Sequence, residues 1–106
     1  MNDEIAVKND DFWFKIVGML QQNWATIEPF QAGYVVYFIG DNSGIFDQLE
    51  FIKMDDAERQ LLVNGFTRYA QDNQARNFIT PPQPPFYKSR HPNGAIYSSG
   101  RFWKPA

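Results

Sequence analysis

The clearest pattern in the chain lies in its middle. Tyr34-Val35-Val36-Tyr37-Phe38-Ile39 is β-branched or aromatic at every position, which predicts a central strand buried on both faces. Asp41-Asn42-Ser43-Gly44 follows as a turn, since Asn and Gly tolerate positive φ. Ile45 to Ile52 then returns as a strand, with Ile45, Leu49 and Phe51 on one side and Gln48 and Glu50 on the other. Upstream, Phe12, Ile16, Met19 and Leu20 fall at helical spacing, with Trp13, Val17 and Trp24 beside them. That spacing predicts a first helix over about residues 10–23, capped by Asn9, with Asp10 and Asp11 favouring its dipole. Gly18 weakens it by about 1 kcal/mol relative to Ala. Residues 25–30 read as a short edge strand punctuated by Pro29 and Gly33.

Asp55 with Glu58 has the form of a capping box. The helix it opens carries Ala57, Leu61 and Leu62 on one face. Asn64-Gly65 closes it, and Phe66 folds back on the last turn. Residues 67–78 read as a further short helix. Pro81-Pro82-Gln83-Pro84-Pro85 ends all helix and favours polyproline II. His91-Pro92-Asn93-Gly94 reads as a turn and Ala95-Ile96-Tyr97-Ser98 as a last strand. The assembled expectation is an α+β domain: an N-terminal helix, an antiparallel meander of two or three strands, one or two helices, and a proline- and aromatic-rich tail. The single domain spans 1–106, with 1–8 frayed. The tail, 81–106, packs on the body because Phe86, Tyr97, Phe102 and Trp103 are too apolar a load for a disordered end.

Composition narrows the class. At 106 residues, 43% apolar and 21% charged, the chain suits one soluble domain with one core. The start lacks the basic and apolar regions of a signal peptide, and the run from Tyr34 to Ile39 is far too short to span a bilayer. These features point to a cytoplasmic protein with no membrane role. The absence of cysteine rules out disulfides, thiolate zinc sites and a thiol nucleophile.

Catalytic and metal chemistry find little footing. His91 is the one histidine. Ser89, Ser98 and Ser99 are near it, but no acid lies within eighteen residues to orient the ring. The Asp41–Gly44 turn with Asp47 and Glu50 offers oxygen ligands but lacks the alternation and final Glu of a calcium loop. No glycine-rich phosphate loop is present. The reading is a non-enzyme without cofactor or metal.

Charge is the informative departure. Residues 1–58 hold eleven acids against three bases, and residues 59–106 hold seven bases against one acid, Asp72. The last 34 residues contain no acid and carry six of the seven prolines. Such a split points to partner binding. Asp41, Asp47, Glu50, Asp55, Asp56 and Glu58 gather along the predicted hairpin and helix start, with Lys53 the one base among them. That patch would steer a basic protein partner. In the tail, Tyr87, Arg101 and Trp103 are candidate anchors, since aromatics and Arg supply interface hot spots. The alternative is single-stranded nucleic acid, stacked on tail aromatics beside its cations. The acidic whole, with pI about 5.2, disfavours it.

Gln22-Asn23-Trp24-Ala25, Asp41-Asn42-Ser43-Gly44-Ile45-Phe46-Asp47, Asn64-Gly65-Phe66, Pro84-Pro85-Phe86 and Ile96-Tyr97-Ser98-Ser99-Gly100-Arg101-Phe102-Trp103 together carry a resemblance. As a set they resemble small immunity proteins encoded beside bacterial polymorphic toxins, including those of contact-dependent growth inhibition. The likeness runs along most of the chain. It implies a cytosolic protein that binds a cognate toxin domain and blocks it. Many such toxins are nucleases with basic surfaces, which suits the acidic patch. It implies no individual site residue.

Overall fold

The computed structural model describes residues 4–17, 21–40 and 42–88. They form a seven-stranded mixed sheet and two short helices. The strands are β1 (Glu4–Ile5), β2 (Trp13–Val17), β3 (Gln21–Phe30), β4 (Gly33–Ile39), β5 (Gly44–Phe51), β6 (Thr67–Arg68) and β7 (Phe86–Lys88). The helices are α1 (Met54–Val63) and α2 (Asn73–Phe78), the latter preceded by a 3-10 turn at Tyr69–Gln71. In space the strands run β1-β7-β5-β4-β3-β2-β6. Every pairing is antiparallel except β5 with β7.

This corrects the expected architecture. The N-terminal helix over 10–23 does not form; β2 and the start of β3 stand there, paired from Trp13↔Ala25 to Val17↔Gln21. The physical reason is that the sheet has two buried faces. Trp13 packs with Ala57 and Leu61 of α1, whereas Phe14 packs with Trp24 on the other side. Neighbouring residues on a strand point oppositely, so a broad helical stripe and a strand buried twice share one sequence pattern. The short edge strand at 25–30 is likewise corrected. β3 is a long inner strand between β4 and β2. Pro29 is tolerated because β2 reaches only to Ala25, so no ladder partner is lost beyond β4. The two-or-three-stranded meander becomes four consecutive antiparallel strands, β2 to β5, flanked on both sides.

The β4–β5 hairpin lies where the pattern places it. β4 is central, with Val36, Phe38 and Ile39 fully buried. Its turn closes with Gly40 N–H donating to Gly44 O and Ser43 N–H to Gly40 O. Ser43 takes the positive φ, and the Asn42 side chain accepts from Gly44 N–H at 2.9 Å. A Cβ on Gly33 would collide with the Phe51 carbonyl oxygen, so β4 can begin against β5 only with glycine there. At the other end, the register shifts between Phe38 and Ile39. Phe38 pairs with Asp47 and Ile39 with Ile45, so Phe46 is the extra, bulged residue.

α1 covers one face, its Ala57 and Leu61 meeting Ile27, Val36 and Phe38. The expected capping box is absent: Lys53 is the N-cap without a side-chain cap bond. Glu58 turns instead toward Arg68, as described below. The C-terminus closes as expected. Gly65 has φ +88, its N–H bonds to Leu62 O, and Phe66 N–H bonds to Leu61 O, the Schellman pattern. Phe66 is buried against Phe38.

The single helix expected over 67–78 splits into β6, the 3-10 turn and α2. Arg68 pairs across to Trp13, and Asp72 caps α2 by accepting from Ala75 N–H at 2.9 Å. The opposite face is closed by α2, the N-terminal segment and Phe86, whose ring is buried with Ile39, Ile45 and Trp24. Residues 4–8, within the 1–8 read from the sequence as frayed, pair through β1 with β7 and run on across this face. The expected turn at 91–94, the strand at 95–98 and the packing of Tyr97, Phe102 and Trp103 lie outside the described residues.

Candidate partner-binding surface

The acids singled out from the sequence do not form one patch. β5 carries Asp47 and Glu50, α1 carries Asp55, Asp56 and Glu58, and Asp41 lies outside the described residues. Along β5, Leu49 and Phe51 face the α1 core. Glu50, opposite Val35, therefore projects from the other side. Asp47 sits at the bulge, and its Oδ1 accepts from Gln48 N–H at 2.8 Å. Glu50 and Asp55 are exposed, and Asp47 and Asp56 half-buried. Asp56 faces Arg59 one turn on at 3.4 Å, with both side chains about half exposed, a pair that contributes little to stability. Asp47, Glu50, Asp55 and Asp56 thus lie spread along β5 and the first turn of α1, Asp47 by the bulge and Glu50 on the side away from α1.

Glu58 does different work. Arg68 Nη2 reaches Glu58 Oε2 at 3.1 Å and Asp11 Oδ2 at 2.6 Å, and its Nε also donates to Asp11. The guanidinium lies over the Trp13 ring, 5.1 Å from its centroid. The hydrogen bond to Asp11 chiefly, with both carboxylates' charge, raises the Arg68 pKa further. The cluster ties α1, β6, β2 and the N-terminal segment together. Glu58 is therefore a half-buried partner of Arg68, its carboxylate engaged by the guanidinium.

The sequence did not point to Glu28, the acid with the most unusual setting. It is 6% exposed on inner strand β3. Its Oε1 and Oε2 accept from the backbone N–H groups of Lys8 and Asn9 at 3.0 and 2.8 Å. The Asn9 side chain donates to Ile27 O. A buried carboxylate must find donors, and here they are main-chain amides of the strap that crosses the face. The available signal was an acid set between Ile27 and Pro29 in an otherwise apolar run. Nearby Tyr37 has its phenol pKa raised, by burial first and by the Glu28 charge second. Thr26, opposite Tyr37, is fully buried and its hydroxyl has no hydrogen-bond partner among the described residues.

The tail candidates divide. Tyr87 is on β7, in register with Gly44, and partly exposed. Arg101, Trp103 and His91 lie outside the described residues. Two recesses adjoin these elements. One, about 300 Å³, runs beside β5 where β7 ends, lined by Ile45, Phe46, Asp47, Gln48 and Lys88. The other, about 340 Å³, lies between the strap and the proline run, with Phe12, Tyr69 and Phe86 in its wall. Among the described residues no group of His, Cys, Asp or Glu could hold a metal ion. No helix there is long and apolar enough to cross a membrane. No family profile, curated protein or solved structure matches the chain.

Proposed function

We propose that this protein is a non-enzymatic binding module that neutralises a basic protein partner. Following the immunity-protein resemblance, that partner is a toxin domain, of the nuclease kind. The mechanism is occlusion: acids along β5 and the first turn of α1 cover the partner's cationic surface. One observation carries the reading. Between Asp47 and Asp56 the chain carries four acids, exposed or half-exposed, along β5 and the first turn of α1, with Lys53 the one base in that run. Glu58, being held by Arg68, is left out of the contact surface.

The test is association kinetics, at low and moderate salt, with the basic toxin domain encoded beside this chain. Reversing Glu50, Asp55 and Asp56 to Lys should slow association about tenfold or more and flatten its salt dependence. An unchanged rate in the folded triple variant would remove these acids from recognition. A gel-shift with single-stranded oligonucleotides separates this reading from nucleic-acid binding, which predicts retardation by the full chain.

A further inference from the structure

We infer that the recess between the strap, residues 6–12, and the proline run takes an arginine side chain of the partner, held by Asp10 and the rings of Phe12 and Tyr69. This rests on the reading of a basic protein partner given above. The recess is about 340 Å³, at the small end of ordinary ligand sites, which suits one long side chain. Its walls are held in place. Phe12 and Tyr69 both lie T-shaped against the buried Trp24, with centroids 6.0 and 5.5 Å away, and Tyr69 OH donates to Ile79 O at 2.7 Å. Phe86 and Pro82, both buried, complete the lining. Walls fixed in advance lower the cost of binding. The recess lies at one end of the β1–β7 pair, where the strap follows Ile5 and the proline run precedes Phe86. Ile5 is opposite Phe86 and Glu4 opposite Tyr87, so the described chain stops, before Glu4 and after Lys88, at the other end of that pair.

The chemistry of the wall chooses the occupant. From Glu4 to Asp10 exposed positions alternate with half-buried ones, so Lys8 and Asp10 stand together at the rim. Most donors on the wall are spent. The main-chain amides of Lys8 and Asn9 go to Glu28, the Asn9 side chain to Ile27 O, and Gln83 Nε2 to Pro81 O. The prolines add carbonyl oxygens and no N–H. Among the described residues, the Asp10 carboxylate has neither a hydrogen-bond nor an ion-pair partner. An aromatic, donor-poor wall beside an unpaired carboxylate favours a cation with a flat, weakly hydrated face, and the guanidinium carries several donors on such a plane. The chain holds its own Arg68 in this way, over Trp13 and against Asp11. Lys8 is the opposing charge at the rim and lowers affinity there.

The probes are the N-acetyl methylamides of arginine and norleucine, added to the full chain, with the ring signals of Phe12 and Tyr69 followed by NMR. The arginine compound should shift them saturably, and the norleucine compound should not. Lys8→Glu should tighten arginine binding and Asp10→Asn weaken it, each about threefold; both positions are exposed. In the association assay, Asp10→Asn should raise the partner's dissociation rate about threefold, because the pair is covered in the complex. Absence of a saturable shift with the arginine compound overturns the inference, and so does equal binding of norleucine. Arginine binding with an unchanged dissociation rate would make the recess a site for free guanidinium compounds and not for the partner, with the same consequence. Contacts of the Phe12 or Tyr69 ring with residues beyond Lys88 in the free chain would show the recess filled from within and also overturn it. Acidic recognition is tested apart, since Glu50, Asp55 and Asp56 line no part of the recess.

Discussion

The two faces of the sheet are closed by different means. On one, a ten-residue helix lays Ala57 and Leu61 onto Ile27, Val36 and Phe38, with the half-buried Glu58–Arg68–Asp11 ion pairs at its margin. On the other, a strap, a six-residue helix and a proline run share the task. There, polar groups of the sheet itself, Glu28 above all, reach up to hold the cover. A helix satisfies its own main chain and can seal a face by side chains alone. An irregular strap has unpaired amides that must be met before it can lie on a core. The second face therefore needs a buried acid, and the first does not.

This contrast can be broken in order of effect. Phe38→Ala, on the helix side, should cost about 3–5 kcal/mol, because the ring is fully buried and leaves a cavity. Urea denaturation measures it, and a cost below about 1 kcal/mol would mean the helix face is not the main source of stability. Glu28→Ala should cost about 3 kcal/mol, since two amides lose an ionised acceptor. Its signature is local: amides of Lys8 and Asn9 should exchange faster before the helix face is affected. If exchange quickens everywhere alike, the strap is not held separately. Thr26→Val should raise stability by about 1 kcal/mol, by removing a buried hydroxyl that has no partner among the described residues. A loss would show that the hydroxyl is satisfied in solution.

The gentlest probe is pH. Tyr37 holds its proton more tightly when folded than the ordinary value of 10.0. Above pH 10 the unfolded chain therefore releases this proton first, and stability falls as pH rises toward the folded value. Below pH 10 Tyr37 contributes no slope. Tyr37→Phe should flatten the alkaline limb of a stability–pH curve, and an unaltered limb would assign it to other groups.

The residues that misled are as instructive as those that did not. The β4–β5 hairpin was legible because its β-branched run and its turn agree over neighbouring residues, but Ile45, expected beside Leu49 and Phe51, lies on the opposite face because the bulge at Phe46 breaks the alternation. The C-terminal closure of α1 was legible because Asn64, Gly65 and Phe66 act within one turn. Trp13 and Phe14 could not be read the same way. Their burial on opposite faces is set by α1 and α2, which follow them by forty residues or more. Glu58 fits a capping box locally, but Arg68 competes for it from β6. The acids of 47–58 are contiguous in sequence, yet the pleat puts Glu50 on the side away from α1.

The sequence alone determined the apolar central strand, its returning partner, the helix after it with its glycine stop, and the separation of acidic and basic halves. These follow from contacts within a few residues or from simple counts. Only the tertiary structure decided that the N-terminal apolar stretch is a strand, that β7 enters the sheet in parallel, that Glu28 anchors the strap and that Arg68 draws Glu58 inward. Each depends on which distant group arrives to satisfy a main-chain amide, a buried charge or an apolar face. Local spacing carries no record of that arrival.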